Sequence, residues 1–301
     1  ALERPAWSLV IGVIGLLVNA LAVWALVFGE LGLPRLGILG AGIGSTISAL
    51  TMFGGMALVC VLHPRFRRYR IFGHFWRFDF AKFRSLVALG LPIGVAVALE
   101  ATVFNAAVFV MGLIGAEAVA AHAIAIQFAA VCFMVPLGFS QAATVRVGYA
   151  FGARDRAAIT RAGWTPFVLG TAFMCCTALM IFSIPDLLAG IFLDRHDPAN
   201  AQVMALAVSF LSIAALFQVF DGAQVMAAGM LRGLHDARVP MIYAAVGYWC
   251  IGLGIGLSLA FGFGFAGIGI WIGLLSGLAA TSVMLVGRWM RRDRLLRALP
   301  A

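Results

Sequence analysis

Two carboxylates lie deep inside apolar stretches of this 301-residue sequence. Glu100 interrupts Leu89–Gly112, and Asp221 interrupts the run SFLSIAALFQVFDGAQVMAAGM. At about 1.5 Å per residue, either stretch forms a helix long enough to cross a hydrocarbon core of about 30 Å. Both acids then lie far from water, where an ionised acid costs on the order of a few kcal/mol unless it is protonated, paired or facing a wet cavity.

The two acids are predicted to be each other's partners in one cavity. Carboxylates that share a cavity raise each other's proton affinity, and a bound monovalent cation relieves their repulsion. Glu100 and Asp221 are therefore predicted to exchange H⁺ or Na⁺ against another ligand, with no other metal. Three alternatives stay open: acids on unrelated helix faces, a protonated acid hydrogen-bonded to a neighbouring helix, and an acid that only packs near a helix end.

Other polar residues of the apolar stretches have weaker signals. Gln218 and Gln224 flank Asp221 at helical spacing, where they either orient the acid or join helices by hydrogen bonds. His122 is interpreted as a hydrogen-bonded interfacial residue, with a proton relay as the alternative. Glycines at four-residue spacing predict a close-packing helix face; they are Gly269, Gly273 and Gly277.

Composition requires a membrane protein. With 63% hydrophobic and 11% charged residues, the chain is predicted to be an all-α, polytopic membrane helix bundle of eight transmembrane helices. The predicted spans are Trp7–Phe28, Leu39–Leu62, Leu86–Leu113, Val119–Phe151, Trp164–Ile184, Gln202–Leu231, Met241–Phe263 and Gly267–Trp289.

The net charge of +9 is distributed between the spans. Most Lys and Arg residues fall in loops on one side, which predicts that both termini are cytoplasmic. No single basic face forms, so nucleic acid is excluded as a partner. The segment 64–84 interleaves cations with aromatics and is predicted to be an amphipathic connector at the headgroup level, or an anionic-lipid site.

The sequence has no HExxH, GxSxG or Walker A motif, so the common hydrolase signatures and an ATP motor are missing. The protein is therefore predicted not to be an enzyme, to need no cofactor, and to use an ion gradient or act passively. Its five cysteines form no CxxC pair and are interpreted as small buried hydrophobes.

The first two spans and the last two spans are bounded and connected by similar residues. Both pairs also cross the membrane in the same order of sides. This similarity predicts parallel repeats related by an axis along the membrane normal. If the six spans of 85–301 form one complete lobe, then 1–63 contains only the last two helices of the other, and 64–84 connects them. The intact protein is then expected to have twelve helices, four of which precede this sequence.

Three runs of this sequence resemble the MATE (multidrug and toxic compound extrusion) family in its NorM-like branch. They are LGLPIGVAVALEATVF, AAHAIAIQFAAVCFMVPLGFSQAATVRVGYAFGARD and DGAQVMAAGMLRGLHD. The resemblance implies helices 5–12 of a twelve-helix, two-lobe fold. It also implies export of cationic amphiphilic drugs in exchange for H⁺ or Na⁺ by alternating access. The family's glutamate and aspartate of the second lobe map onto Glu100 and Asp221.

The sequence departs from that pattern at several positions. Many relatives have a tyrosine where this chain has Phe217, Ala123 replaces a glutamine, and of a pair of asparagines only Asn19 remains, with Val23 at the second position. These differences favour H⁺ over Na⁺, although both stay open. The predicted cavity or supporting residues are Phe217, Gln218, Gln224, Gln127, Asn19 and Asn105.

The family resemblance also implies a setting and partners. A multi-pass protein of the bacterial inner membrane is expected, in contact with the lipid bilayer and small cationic drugs, and monomeric. Two rival functions stay open. One is a flippase for a lipid precursor in the same superfamily, and the other is a membrane-embedded hydrolase or transferase with Glu100 and Asp221 as acid and base.

Overall fold

A computed structural model describes residues 5–32, 34–63, 79–195 and 197–293. Their regular structure is helical, without a strand in these ranges, and eight helices are long and apolar enough to cross a membrane. The predicted all-α bundle of eight spans is thereby confirmed. The helices are α1 (Pro5–Phe28), α2 (Ile38–Leu62), α3 (Phe80–Ile114), α4 (Ala116–Gly152), α5 (Arg156–Ser183), the short α6 (Pro185–Ala189), α7 (Ala201–Gly233), α8 (Arg238–Gly262) and α9 (Ala266–Met290).

Two helices begin well before their predicted spans because side-chain caps extend them. The Asp155 carboxylate accepts a hydrogen bond from the Ala158 amide (2.9 Å), which starts α5 at Arg156. The Asp79 carboxylate accepts from the amides of Ala81 and Lys82 (3.1 Å each) at the start of α3. These hydrogen bonds hold the pKa of the Asp79 carboxyl below its ordinary value, and the bond from the Lys82 amide has the largest effect. Hydropathy follows only the apolar residues, so it misses such polar first turns.

The chain divides into two compact units, residues 1–83 and 84–301. In the first unit, α1 and α2 pack closely, and the Ser48 hydroxyl donates to the Gly15 carbonyl (2.7 Å). The predicted connector 64–84 lies outside the described residues from 64 to 78, so it stays a prediction.

In the second unit, α7 is the central helix and packs against α4, α5 and α9. Its contact with α4 is the most extensive between described helices. The Ser140 hydroxyl donates to the Val225 carbonyl (2.7 Å), and the Thr144 hydroxyl donates to the Gly229 carbonyl (2.8 Å). Small residues along α7 permit this approach. Because α7 is surrounded, its polar side chains must find their partners inside the protein.

The predicted glycine face of α9 is confirmed, and it packs against α8. A Cβ atom on Gly273 would lie 2.4 Å from Gly256 Cα and 2.5 Å from the Gly252 carbonyl oxygen. The two backbones are therefore nearly in contact. Within α8, residues Ala245–Leu253 and Ser258–Gly262 adopt π-helical hydrogen bonding, which changes the rotation of side chains about the helix axis.

Gly273→Ala is expected to destabilise the second unit. Its methyl group would meet backbone atoms that cannot rotate away, at a cost of about 1–3 kcal/mol. A thermal unfolding midpoint measured in detergent should fall by several degrees. Gly287→Ala is the matched control, because its methyl group would meet no atom within 4 Å. Equal midpoints for the two variants would contradict the close α8–α9 packing.

Candidate functional site

A cavity of about 400 Å³ lies within the second unit, with walls from α3, α4, α7, α8 and α9. Its surface is mostly apolar, with residues such as Val97, Phe104 and Phe133. Among the described residues, a few polar side chains line it, and they are Glu100, Gln224, Arg232, Tyr248 and Thr281. An apolar pocket with a few convergent polar groups is typical of a small-molecule site.

Glu100 lies where α3 changes its environment. Towards the end of α3, Val103, Ala107 and Met111 are buried in the core of the second unit, whereas Val97 and neighbouring residues line the cavity. The indole N–H of Trp249 on α8 donates to the carbonyl of Leu99 (3.3 Å), beside Glu100. This contact fixes α3 against α8 at the depth of the carboxylate.

Gln224 joins the two predicted acids. Its amide nitrogen donates to Glu100 Oε1 (3.1 Å) and lies 3.4 Å from Asp221 Oδ1. Asp221 is 5% exposed and lies behind Gln224, not on the cavity wall. The structure therefore brings both acids to one amide group but exposes only Glu100 to the cavity. Gln224 therefore fits both of the interpretations left open for it. Its amide orients the acid, and its hydrogen bond to Glu100 links α7 to α3.

Tyr248 fixes the direction of that amide. Its hydroxyl donates to Gln224 Oε1 (2.7 Å), so the carbonyl side of the amide faces α8 and the N–H side faces the two acids. Tyr248 is 4% exposed and comes from the π-helical part of α8. π-Helical segments are frequent at functional sites because they redirect a side chain without ending the helix.

The other predicted supporting residues of the second unit do not line its cavity. Phe217 is buried and packs edge-on against Phe104 (6.0 Å between ring centroids). Gln218 is buried, and neither of its amide atoms has a hydrogen-bond partner among the described residues. Asn105 and Gln127 are exposed, and the Asn105 amide donates to a carbonyl of its own helix. Asn19 is half-buried on α1, in the first unit.

His122 differs from the hydrogen-bonded interpretation. It is only 2% exposed, and its ring packs against Trp271 at 5.4 Å between centroids. Neither ring nitrogen has a hydrogen-bond partner among the described residues. The predicted hydrogen bonding of His122 is therefore wrong for the described residues. Depth along a helix does not determine which way a side chain points, and His122 points into the core.

Three residues of the cavity wall were missed as site residues. Tyr248 is one of two tyrosines in its span, and Thr281 is an ordinary small polar residue of a membrane helix. Arg232 is among the basic residues that predict a cytoplasmic side, and it also lines the cavity. The available signal was that Arg232 follows Gln224 by eight residues, which places both on one face of a helix.

Tyr248→Phe is expected to destabilise the protein by about 1–3 kcal/mol, because the buried carbonyl of Gln224 loses its donor. A lower thermal midpoint in detergent would show this. Tyr149→Phe is the control, because Tyr149 is 73% exposed and should tolerate the same loss. If both variants have the thermal unfolding midpoint of the parent, the Tyr248 hydroxyl does not hold the amide of Gln224.

Comparison with known proteins gives closely related sequences. A protein from Mesorhizobium japonicum named "Probable multidrug resistance protein NorM" is 58% identical over 295 residues, covering 98% of this chain and 63% of that protein. A protein of the same name from Brucella suis biovar 1 is 50% identical, covering 97% of this chain and 62% of that protein. The chain thus spans less than two thirds of these relatives.

Solved structures have the same fold. The eukaryotic MATE transporter AtDTX14 has a TM-score of 0.83 at 20% identity, covering 96% of this chain and 63% of that one. A structure titled as the outward-facing conformation of a multidrug resistance MATE family transporter has a TM-score of 0.79 at 17% identity, covering 95% and 62%.

The family match includes the candidate site. A sequence profile described as MatE matches residues 92–258, which is more than half of the chain and contains Glu100, Asp221, Gln224 and Tyr248. Together with the eight membrane-length helices, this makes the chain a multi-pass membrane protein. The chain belongs to the MatE family.

Proposed function

We propose that the full-length protein is a cation-coupled multidrug efflux antiporter of the bacterial inner membrane. It exports cationic amphiphilic compounds in exchange for H⁺ or Na⁺ by alternating access. The observation that carries this proposal is the apolar cavity with the Glu100 carboxylate on its wall and Asp221 behind it, joined by Gln224. The name of the related proteins, multidrug resistance protein NorM, supports the same function.

The chemistry of the cavity suits an amphiphilic cation. Its apolar wall accepts the hydrophobic part of a drug, including aromatic contact with Phe104 and Phe133. The carboxylate of Glu100 attracts the positive charge, and the low dielectric of the site strengthens that attraction. Apolar contacts are not directional, so one cavity of this kind can accept drugs of different shapes.

Exchange follows from competition for the same negative charge. A proton or Na⁺ bound at Glu100 and Asp221 removes the negative charge that holds the drug. A bound drug, in turn, weakens the binding of the proton or Na⁺. If the two ligands prefer different conformations of the protein, each biases the equilibrium towards its own state. In this mechanism, inward movement of the coupling ion drives outward movement of the drug.

The contacts of Gln224 favour H⁺ as the coupling ion. Its amide directs N–H groups towards both acids, while its carbonyl oxygen accepts from Tyr248. A proton needs only one carboxylate oxygen, whereas Na⁺ binds several oxygen atoms at once. Gln224 presents N–H donors to both acids and no oxygen, so it adds no ligand for Na⁺ in this arrangement.

The two rival functions find less support in the cavity. A flippase for anionic lipid precursors would need a strongly cationic wall, but among the described residues only Arg232 brings a basic side chain to this cavity. A hydrolase or transferase with Glu100 and Asp221 as acid and base would need polar groups beside them to bind its substrate. The wall is mostly apolar, and the Thr281 hydroxyl already donates to the carbonyl of Gly277 in its own helix (2.8 Å).

Glu100→Gln and Asp221→Asn should each reduce drug export at least about tenfold, which corresponds to about 1.4 kcal/mol. Either change removes one of the charges for which the two cations compete. The measurement is ethidium movement in proteoliposomes that contain the full-length protein, with pH and Na⁺ gradients imposed separately. Glu117→Gln serves as the control, because this exposed acid lies in the first turn of α4. Parental transport by Glu100→Gln and Asp221→Asn would refute the mechanism.

Both termini of the chain are proposed to be cytoplasmic, from the distribution of Lys and Arg. Green fluorescent protein fused to the C-terminus should then fluoresce in cells. Alkaline phosphatase fused after Asn200, between α6 and α7, should be active outside the cytoplasm. The reverse pattern would mean that the chain is inserted with the opposite orientation.

A further inference from the structure

The cavity contains a positive charge that cation exchange does not require. Arg232 lines the same cavity as Glu100, and Gln224, Ala228 and Arg232 form one face of α7 at four-residue spacing. An arginine near the end of a membrane helix ordinarily extends its side chain outward to the interface. Arg232 instead shares a cavity with the acid that the proposed function assigns to cation binding.

Two hydrogen bonds show where the guanidinium lies. Arg232 Nη2 donates to the hydroxyl of Ser140 (3.0 Å), which in turn donates to the carbonyl of Val225 (2.7 Å). Val225 directly follows Gln224, so the guanidinium extends back along α7 towards the amide that holds Glu100. Ser140 is fully buried, which fixes this position. The Nε–H of Arg232 is buried without a hydrogen-bond partner among the described residues.

The cavity wall thus carries one ionisable group of each sign. Among the described residues that line it, Glu100 is the acid and Arg232 the base, while Asp221 lies behind Gln224. A guanidinium does not lose its proton in proteins, so its charge is permanent. In a medium of low dielectric, this charge attracts Glu100 and repels any incoming cation.

We propose that Arg232 is the resident countercation of the cavity, a residue that determines how tightly cations bind. This role rests on the proposed function. When the cavity is empty, Arg232 balances the charge of Glu100, and when a drug or coupling cation binds, Arg232 opposes it. The repulsion keeps binding weak enough for release on the other side of the membrane. Arg232 thus lowers the affinity for cations and speeds their release.

A purely structural role for Arg232 makes different predictions. If Arg232 served only to tie α7 to α4 through Ser140, then its loss would loosen the cavity wall and weaken ligand binding. A countercation behaves in the opposite way, because removing it should tighten the binding of a cation. Retention of the positive charge, rather than of the guanidinium geometry, should preserve the parental affinity.

The test is equilibrium binding of ethidium, a monovalent cation, to the full-length protein in detergent. Arg232→Gln should lower the dissociation constant about tenfold, equivalent to about 1.4 kcal/mol. The Arg232→Lys variant keeps the positive charge, so its dissociation constant for ethidium should stay within about threefold of the parental value. Arg146→Gln is the matched control, because it removes an exposed arginine of α4 and should change binding less than twofold. Arg232→Met provides a second charge-removing variant if the Gln variant aggregates.

A double-mutant comparison separates this inference from the proposed function. In a Glu100→Gln background, Arg232→Gln should tighten ethidium binding less than in the parent, because the charge it balanced is missing. If Glu100→Gln leaves binding unchanged while Arg232→Gln still tightens it, the role proposed for Glu100 is wrong and the repulsion by Arg232 stands. If folded Arg232→Gln and Arg232→Met proteins bind ethidium no more tightly than the parent, the countercation role is wrong.

Discussion

The central constraint on this structure is that ionisable groups inside a membrane protein must find their partners within the protein. Glu100 and Asp221 meet that requirement through a single amide, that of Gln224, which Tyr248 holds in place. The network joins α3, α7 and α8, so none of these helices can rotate about its axis without breaking it. Because α7 supplies both Asp221 and Gln224, it has to be central, and its small residues allow α4 to approach it closely.

The network in turn depends on the backbone of α8 and α9. Gly273 allows α9 to approach α8 almost to backbone contact. In α8, π-helical hydrogen bonding over Ala245–Leu253 sets the rotation that points the Tyr248 hydroxyl at Gln224. A regular α-helix of the same length would place the residues that follow on a different face. An apolar glycine contact thus positions a polar group of the cavity.

The sequence predicted the eight spans, because hydropathy and helix rise determine them directly. It did not identify Tyr248 or Arg232 as cavity residues, and it predicted a hydrogen-bonded His122 where the structure has a buried ring without a partner among the described residues. The reason is physical. A membrane helix is apolar on its lipid face as well as its packed face, so no amphipathic stripe shows which way a polar side chain points. Asn105, which is exposed and does not line the cavity of the second unit, illustrates the same limit.

Proton exchange adds a requirement that the composition of the network meets. A carboxylate accepts hydrogen bonds only, whereas its protonated form also donates one, so buried neighbours must remain satisfied in both states. An amide and a phenol hydroxyl each contain a donor and an acceptor. Gln224 and Tyr248 can therefore exchange roles when a proton arrives at Glu100 or Asp221, at the cost of rotating polar groups instead of leaving one unpaired. A lysine in place of Gln224 could only donate, and a third acid would add repulsion. The pairing of acids with groups that both donate and accept is thus suited to a site that repeatedly gains and loses a proton.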